Sequence, residues 1–467
     1  MELYLIGHNY RYAAEQMLLT LYPGERPVYP EGVRTGDRAE LTLEAGQAVC
    51  RLVREGTVYE GRAEARPWRN AQERVRMEQQ AVKLSFYRAA LAAGTPKPVW
   101  GALTGVKPGK LMARYLAEGK TAADFAGDFD VDPARAALCR TTARAAMRAK
   151  ASLAPGDIGL YVGIPFCPTR CAYCSFISSA VGASEKLMGP YLAALGAEIR
   201  RTGEAVRKAG ERPVTLYIGG GTPTTLTAEQ LDALCAALEE EFDLASLREY
   251  TVEAGRPDTI TAEKLRVLRD HGVTRVSVNP QTMSDAVLQA IGRRHTARDV
   301  LEALALVRKA GRFQVNMDLI AGLPKDTPEI FSETVRRIIA LGPENVTVHT
   351  LAIKNGSYLA QYRTELPDGE AVGRMIETAS AMLKEAGYAP YYLYRQKYMS
   401  GGFENVGWAK PGTENLYNLV MMEELAPVAA MGAGGSSKRV FPDGSVGRHM
   451  NPKYPKEYIE RMARDGI

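Results

Sequence analysis

Between about residues 155 and 351, short β-branched or aromatic runs alternate with longer helix-like stretches, and nothing else in the sequence narrows the fold as much. The β-like runs are GLYVGI (159–164), VTLYIGG (214–220), EYTVEA (249–254), TRVSVN (274–279), FQVNMDLI (313–320) and NVTVHTL (345–351). Between them TAEQLDALCAALEEEF (227–242), TAEKLRVLRDHG (261–272), TARDVLEALALVRKAG (296–311) and TPEIFSETVRRIIALG (327–342) carry apolar residues at helical spacing, each opening on a Thr suited to cap a helix. Alternation of this kind argues a parallel α/β sheet. Six such units fit an incomplete (β/α) barrel or an open doubly wound sheet, and periodicity does not separate the two. The unusual residues favour the barrel: Cys167, Gly219 to Gly221, Glu253, Gln281, Asp318 and His349 all fall at or just past the C-terminal ends of their strands. In a barrel those ends share one mouth, where the active site is built.

The expected fold class is α/β, a partial (β/α)6 barrel over residues 153–358. At 467 residues the chain is too long for one small core. Residues 1–152, with LYLIG, RAELTLEAG and AVCRLVREGTVYEGRAEA followed by helices, are expected to form an α+β accessory domain. Residues 359–467, rich in Tyr and Gly, are expected to form a smaller C-terminal domain that covers the substrate.

The N-terminus has an early Glu2 and no basic lead into an apolar stretch, and no run reaches the roughly 18 to 20 apolar residues of a membrane span. A cytoplasmic protein without a membrane span is expected. A formal charge of +5 and a pI near 8.7 fall short of a nucleic-acid footprint, so no nucleic-acid partner is expected. An acidic small substrate is compatible with that charge.

Of the six cysteines, Cys50, Cys139 and Cys235 are scattered singly and read as buried small hydrophobes. The other three, Cys167, Cys171 and Cys174, form Cys-x-x-x-Cys-x-x-Cys in YVGIPFCPTRCAYCSF, a loop opened by Pro165. Three close thiolates can converge on one soft metal centre. Structural zinc would want a fourth ligand, and no histidine lies between His8 and His271. A 4Fe-4S cluster with three protein ligands leaves one iron open to a cofactor or substrate.

Cys-x-x-x-Cys-x-aromatic-Cys after a first strand resembles the signature of radical S-adenosylmethionine enzymes, in which the cofactor's methionine part chelates the fourth iron. GGGTPT (219–224) is similar to that superfamily's glycine-rich segment; it departs from a dinucleotide-binding fingerprint, with Thr224 in the third glycine's place. GVKPGKL (105–111) falls one residue short of a phosphate-binding loop and ends on Leu111. Glu253, Gln281, Arg293 and Asp318 match in order the polar cofactor ligands of the oxygen-independent coproporphyrinogen III oxidase subfamily, and LYVGIPFC resembles its Tyr-x-His-Ile-Pro-Phe-Cys. WGALTGVKP (100–108), VHTLAIK (348–354), YYLYRQKYMSGGFENVGWAKPG (391–412) and MGAGGSSKRV (431–440) extend the likeness to that subfamily's HemZ branch, the coproporphyrinogen dehydrogenases.

The resemblance implies cluster ligands Cys167, Cys171 and Cys174. It implies S-adenosyl-L-methionine ligands Tyr161, Tyr173, Gly220, Gly221, Thr222, Glu253, Gln281, Arg293 and Asp318, with Tyr161 and Gln281 also at the catalytic centre. The implied reaction turns two propionates of coproporphyrinogen III into vinyl groups, with electrons entering from an unidentified low-potential donor. Gly163 departs from the subfamily's histidine, and Phe176 from a fourth cysteine in its best-known oxidases. A non-oxidase branch also has Phe there, so a heme-binding carrier is the alternative, as is another radical modification of a tetrapyrrole. RNA methylthiolation usually takes a second three-cysteine motif, and Cys50, Cys139 and Cys235 lack that spacing. Arg395, Lys397, Lys438 and Arg439 are candidate partners for substrate carboxylates. The backbone of GAGGSS is another. The five tyrosines of 388–398 are expected to pack a half-buried strand.

Overall fold

The structure, a computed structural model, describes residues 1–30, 36–174, 179–353, 357–359, 365–396, 399–441 and 445–466. The chain packs as two compact units, Met1–Arg140 and Thr141–Ile467, the division falling inside the helix Pro133–Ala151.

The first unit is α+β. Strand β1 (Glu2–Ile6) pairs in parallel with β2 (Arg38–Glu44), and β3 (Gln47–Arg54) and β4 (Thr57–Glu64) follow as antiparallel hairpins. Both hairpins turn on a residue pair with positive φ, Ala45-Gly46 and Glu55-Gly56, the conformation that suits the twist of two-residue turns. The helix Ala71–Ala92 lies so close on β4 that a Cβ on Gly61 would stand 2.1 Å from the Ser85 carbonyl oxygen. Its core gathers Met17, Leu41, Cys50, Leu52 and Phe86.

The second unit contains, in chain order, β5 (Asp157–Ile164), β6 (Phe166–Cys167), β7 (Ser179–Ala180), β8 (Arg212–Gly220), β9 (Glu249–Val252), β10 (Arg275–Ser277), β11 (Gln314–Ala321), β12 (Asn345–Thr350), β13 (Ala389–Tyr394), β14 (Asn405–Ala409), β15 (Val428–Met431), β16 (Ser436–Val440) and β17 (Val446–Met450). Eleven of these form one sheet in the order β13-β14-β12-β11-β10-β9-β8-β5-β15-β16-β17. The six strands β5, β8, β9, β10, β11 and β12 are parallel neighbours with helices between them, the six-unit α/β architecture expected from the alternation. The first and last of the six do not pair with each other. Instead β15 adds in parallel to β5 and β14 adds antiparallel to β12, so residues after 358 extend both ends of the same sheet.

The threonines that open the intervening helices do cap them. Thr227, Thr261, Thr296 and Thr327 each accept a hydrogen bond from the backbone N–H three residues on. Such caps satisfy an amide that helix geometry otherwise leaves unpaired. Cys50, Cys139 and Cys235 are fully buried, as expected of small apolar residues.

A segment not foreseen from sequence crosses the N-terminal ends of the barrel strands. The helix Leu416–Glu423 sets its first two N–H groups on Glu249, Leu416 at 2.9 Å and Tyr417 at 3.1 Å. Arg275 Nη2 reaches both Glu249 (3.3 Å) and the Thr413 carbonyl (2.9 Å), and Asn345 donates to the same carbonyl. Tyr417 then stacks on Tyr217, ring centroids 4.5 Å apart, and on Tyr161 at 6.2 Å.

Candidate active site

The cysteine loop leaves β5 through Pro165 and is held at its base by the parallel pairing of β6 with β7. Thr222 ties it to the glycine-rich segment: its N–H donates to the Phe166 carbonyl at 2.7 Å and its hydroxyl to Cys167 Sγ at 3.4 Å. Further along, the Cys174 N–H donates to the Cys171 carbonyl and the Ala172 N–H to the Ile291 carbonyl. Tyr173 and Ala172 pack on the apolar group that includes Val287, Leu288, Ile291 and Leu323. None of the three cysteines is in a disulfide among the described residues; Cys171 is buried and the other two are half-buried. Among the described residues no three His, Cys, Asp or Glu side chains converge on a single metal ion. A cubane cluster takes each thiolate on a separate iron, so its ligands ring a volume and need not meet at a point. Phe176 lies outside the described residues.

Two buried guanidinium groups flank Cys171. Arg256 donates to Thr169 Oγ1 at 3.0 Å and to Cys171 Sγ at 3.9 Å. Arg293 donates to the Asn279 carbonyl at 2.6 Å and to the Tyr173 hydroxyl at 3.1 Å, bringing two of the expected cofactor residues together. Arg293 Nε has no partner among the described residues. His295, also buried, is pushed down to about 4 by burial, then by Arg293 and Arg256, so its ring is neutral at pH 7.

The glycines form a floor with no room for side chains. A Cβ on Gly219 would stand 2.7 Å from the Tyr217 ring and 2.9 Å from Glu253 Oε2; one on Gly221 would stand 2.5 Å from the Phe166 carbonyl oxygen. Gly220 adopts φ +111, open in practice only to glycine, and its N–H donates to Glu253 Oε2 at 3.2 Å. Glu253 also accepts from the Tyr217 hydroxyl. Burial pushes the Glu253 carboxyl up to about 7; the Tyr217 bond opposes the shift and Asp318 adds to it.

Gln281 sits at φ +67, a region that a non-glycine residue enters at a cost. Its backbone is pinned there by two bonds into β11, N–H to the Asp318 carbonyl (2.9 Å) and carbonyl from the Ile320 N–H (3.0 Å). Its side-chain Oε1 is buried without a partner among the described residues. Asp318 accepts from Asn316 Nδ2 at 2.9 Å and lies 3.8 Å from His349 Nε2. Burial alone would raise the Asp318 carboxyl, but His349, Asn316 and Thr347 together hold it below its ordinary value. His349 continues to the Tyr394 hydroxyl at 3.5 Å.

Tyr161 lies on β5 and joins the stack with Tyr217 and Tyr417. Gly163, the departure from the subfamily histidine, has a physical reason. Its carbonyl accepts from Tyr191 at 2.6 Å, and a Cβ there would stand 2.7 Å from the Ala433 carbonyl oxygen. Strand β15 and the glycines after it occupy the space a side chain would need.

Three of the candidates for substrate carboxylates, the GAGGSS backbone, Lys438 and Arg395, make hydrogen bonds inside the protein. In the GAGGSS segment, the Gly432 N–H donates to Glu198 Oε2 at 2.7 Å, and Asn451 and Tyr458 complete that buried carboxylate's shell. The motif does bind a carboxylate, and it is the chain's own. Lys438 Nζ donates to the Met421 carbonyl at 2.7 Å. Arg395 donates to the Gly402 carbonyl at 3.4 Å. Arg439 is exposed on β16, and Lys397 lies outside the described residues. Tyr388, Tyr391 and Tyr392 are buried, as a packed strand requires. Arg256, Tyr217, Tyr417 and His295 were missed in the sequence. Arg256 alone carried a signal, a charge between Gly255 and Pro257 in a loop at the barrel mouth.

The donor set fits the groups expected of it. Three thiols from one loop suit an iron-sulfur cluster, two buried cations offset its negative charge, and the glycine floor with the unpaired Gln281 Oε1 and Arg293 Nε suits a polar ligand beside it. Comparison with known proteins agrees. Residues 161–338 match the radical SAM superfamily model. The chain is 40% identical to the oxygen-independent coproporphyrinogen-III oxidase-like protein HemZ of Bacillus subtilis, over 78% of this chain and 74% of that protein. It is 30% identical to the heme chaperone HemW of Haemophilus influenzae, over 65% of this chain and 76% of that one. The structure of coproporphyrinogen III oxidase (HemN) from Escherichia coli, described as a radical SAM enzyme, superposes with a TM-score of 0.56 at 26% identity, covering 69% of this chain and 73% of that one. The chain belongs to the radical S-adenosylmethionine superfamily, in its oxygen-independent coproporphyrinogen-III oxidase-like family, whose chemistry uses a 4Fe-4S cluster and S-adenosylmethionine.

Proposed function

We propose that this protein oxidatively decarboxylates two propionate side chains of coproporphyrinogen III to vinyl groups, giving protoporphyrinogen IX. The observation that carries the reading is the likeness to the HemZ oxidase-like protein, 40% identical over most of both chains; the hydrogen-bonded polar residues near the glycine floor and the cysteine loop support it. In this reading Cys167, Cys171 and Cys174 hold the cluster. Gly220, Gly221 and Thr222 offer backbone to the cofactor's methionine part, and Glu253, Gln281, Arg293 and Asp318 supply the polar contacts around it, with Tyr161 and Tyr173 completing the pocket.

Held by these residues, the cluster and S-adenosylmethionine would supply radical hydrogen-atom abstraction at the propionate β-carbon, the substrate then losing carbon dioxide and passing one electron to an acceptor. The chain's own part is geometric. The glycine floor brings backbone to the ligand without steric cost, and Gln281, held at positive φ by two bonds into β11, keeps a buried amide oxygen that a cofactor hydrogen bond would satisfy. The tyrosine stack and the helix Leu416–Glu423 close the far end of the barrel, which keeps water from a reactive radical. A low-potential electron donor, a cytoplasmic location and no nucleic-acid partner belong to the same reading; among the described residues no helix is long and apolar enough to cross a membrane.

A second reading, heme binding without turnover, is favoured by the heme chaperones among the relatives. The same experiment separates the two. Cluster-loaded protein is incubated without oxygen with S-adenosylmethionine, a chemical reductant and coproporphyrinogen III, and tetrapyrrole products are resolved by chromatography. Mono- and divinyl products support the enzyme. Cofactor cleavage with no vinyl product, beside tight heme binding, replaces it with the carrier.

A further inference from the structure

Arg256 leaves β9 three residues after Glu253, so one short loop serves both the cofactor floor and the cysteine loop. Its guanidinium is 3% exposed. Nε and Nη2 each donate at 3.0 Å to one oxygen of Asp258, the two-pronged geometry that fixes a guanidinium plane. That pairing leaves Nη1 directed at the cysteine loop, where it donates to Thr169 Oγ1 at 3.0 Å and to Cys171 Sγ at 3.9 Å. Asp258 is itself 30% exposed, so water screens the carboxylate more than the cation. The guanidinium, not the carboxylate, is the group hydrogen-bonded toward Cys171.

We propose that Arg256 is a positioning residue that docks the cysteine loop through Thr169 and raises the reduction potential of the cluster through Cys171. Reduction adds one negative charge to a cluster that three thiolates already make anionic. A buried cation hydrogen-bonded to one of those sulfurs stabilises the reduced form more than the oxidised form. The inference rests on the cluster alone and stands whichever tetrapyrrole the protein acts on.

The test uses the full chain, reconstituted without oxygen, as Arg256→Gln, Arg256→Lys and Asp258→Asn. Iron and sulfide content is measured beside the midpoint potential, read from the electron paramagnetic resonance signal of the reduced cluster during a redox titration. Arg256→Gln is expected to shift the midpoint to lower potential, Arg256→Lys to fall between Gln and wild type, and Asp258→Asn to shift it above wild type. A purely structural Arg256 would change cluster content and leave the potential of the remaining clusters alone. A wild-type midpoint in cluster-loaded Arg256→Gln overturns the proposal. Should Arg256→Gln take up no cluster, the decision passes to Asp258→Asn, where a midpoint at or below wild type overturns it.

Discussion

At the scale of the residue, the site concentrates strain and unpaired polarity where a ligand would relieve them. Gln281 holds φ +67 and a buried amide oxygen with no partner among the described residues. A left-handed conformation costs an L-residue roughly 1–2 kcal/mol. Gln281→Gly should therefore leave the thermal unfolding midpoint of the ligand-free protein undiminished while weakening S-adenosylmethionine binding, a pairing that melting curves and calorimetry would check. Glu253 makes a pH-dependent prediction. Its carboxyl, pushed up to about 7 by burial, is protonated below that pH and an acceptor-only carboxylate above it. Cofactor binding should strengthen as pH rises through about 7, and Glu253→Gln should flatten that profile and weaken binding about tenfold or more, the worth of a charged hydrogen bond. Glu253, Gln281 and Asp318 were legible as polar residues at or just past the end of a β-like run, whereas Arg293, beyond the helix Asp285–Ala290, was legible only through the subfamily resemblance. Arg256 carried only a weak local signal, its place between Gly255 and Pro257; its role was not legible, because its partner Thr169 lies 87 positions away and only the fold brings them together.

At the scale of the element, what the sequence announced were the units with local signals. Thr-opened helices and β-branched strands satisfy their own backbone, so they read from windows of a few residues. The helix Leu416–Glu423 has eight residues and β15 has four, too few for a period, and their positions are set by Glu249 and by β5. Glu249 and Arg275 are almost fully buried, so Glu249→Ala leaves an unpaired cation and two free helix amides. It should destabilise the protein by about 3 kcal/mol or more, read from denaturant unfolding. Gly163→His restores the subfamily residue but drives a side chain into the Ala433 carbonyl. Overpacking of that kind should cost about 2 kcal/mol, seen as a lower urea midpoint with an unchanged slope. A tolerated histidine would mean that β15 does not sit against β5 as described.

At the scale of the whole molecule, the six parallel strands of one mixed sheet gather the cysteine loop, the glycine floor and the polar strand ends on one mouth, while residues after 358 extend the sheet's edges and cross the opposite end. Fold and cofactors are shared by many chemistries, so the substrate must be read from the reacting atom. The most direct measurement is isotopic: coproporphyrinogen III deuterated at the propionate β-carbons is supplied to the reduced, cluster-loaded protein with S-adenosylmethionine, and the 5′-deoxyadenosine formed is weighed by mass spectrometry. The account predicts deuterium in 5′-deoxyadenosine, appearing in step with vinyl products. Deoxyadenosine without deuterium, or none above the substrate-free control, would contradict it.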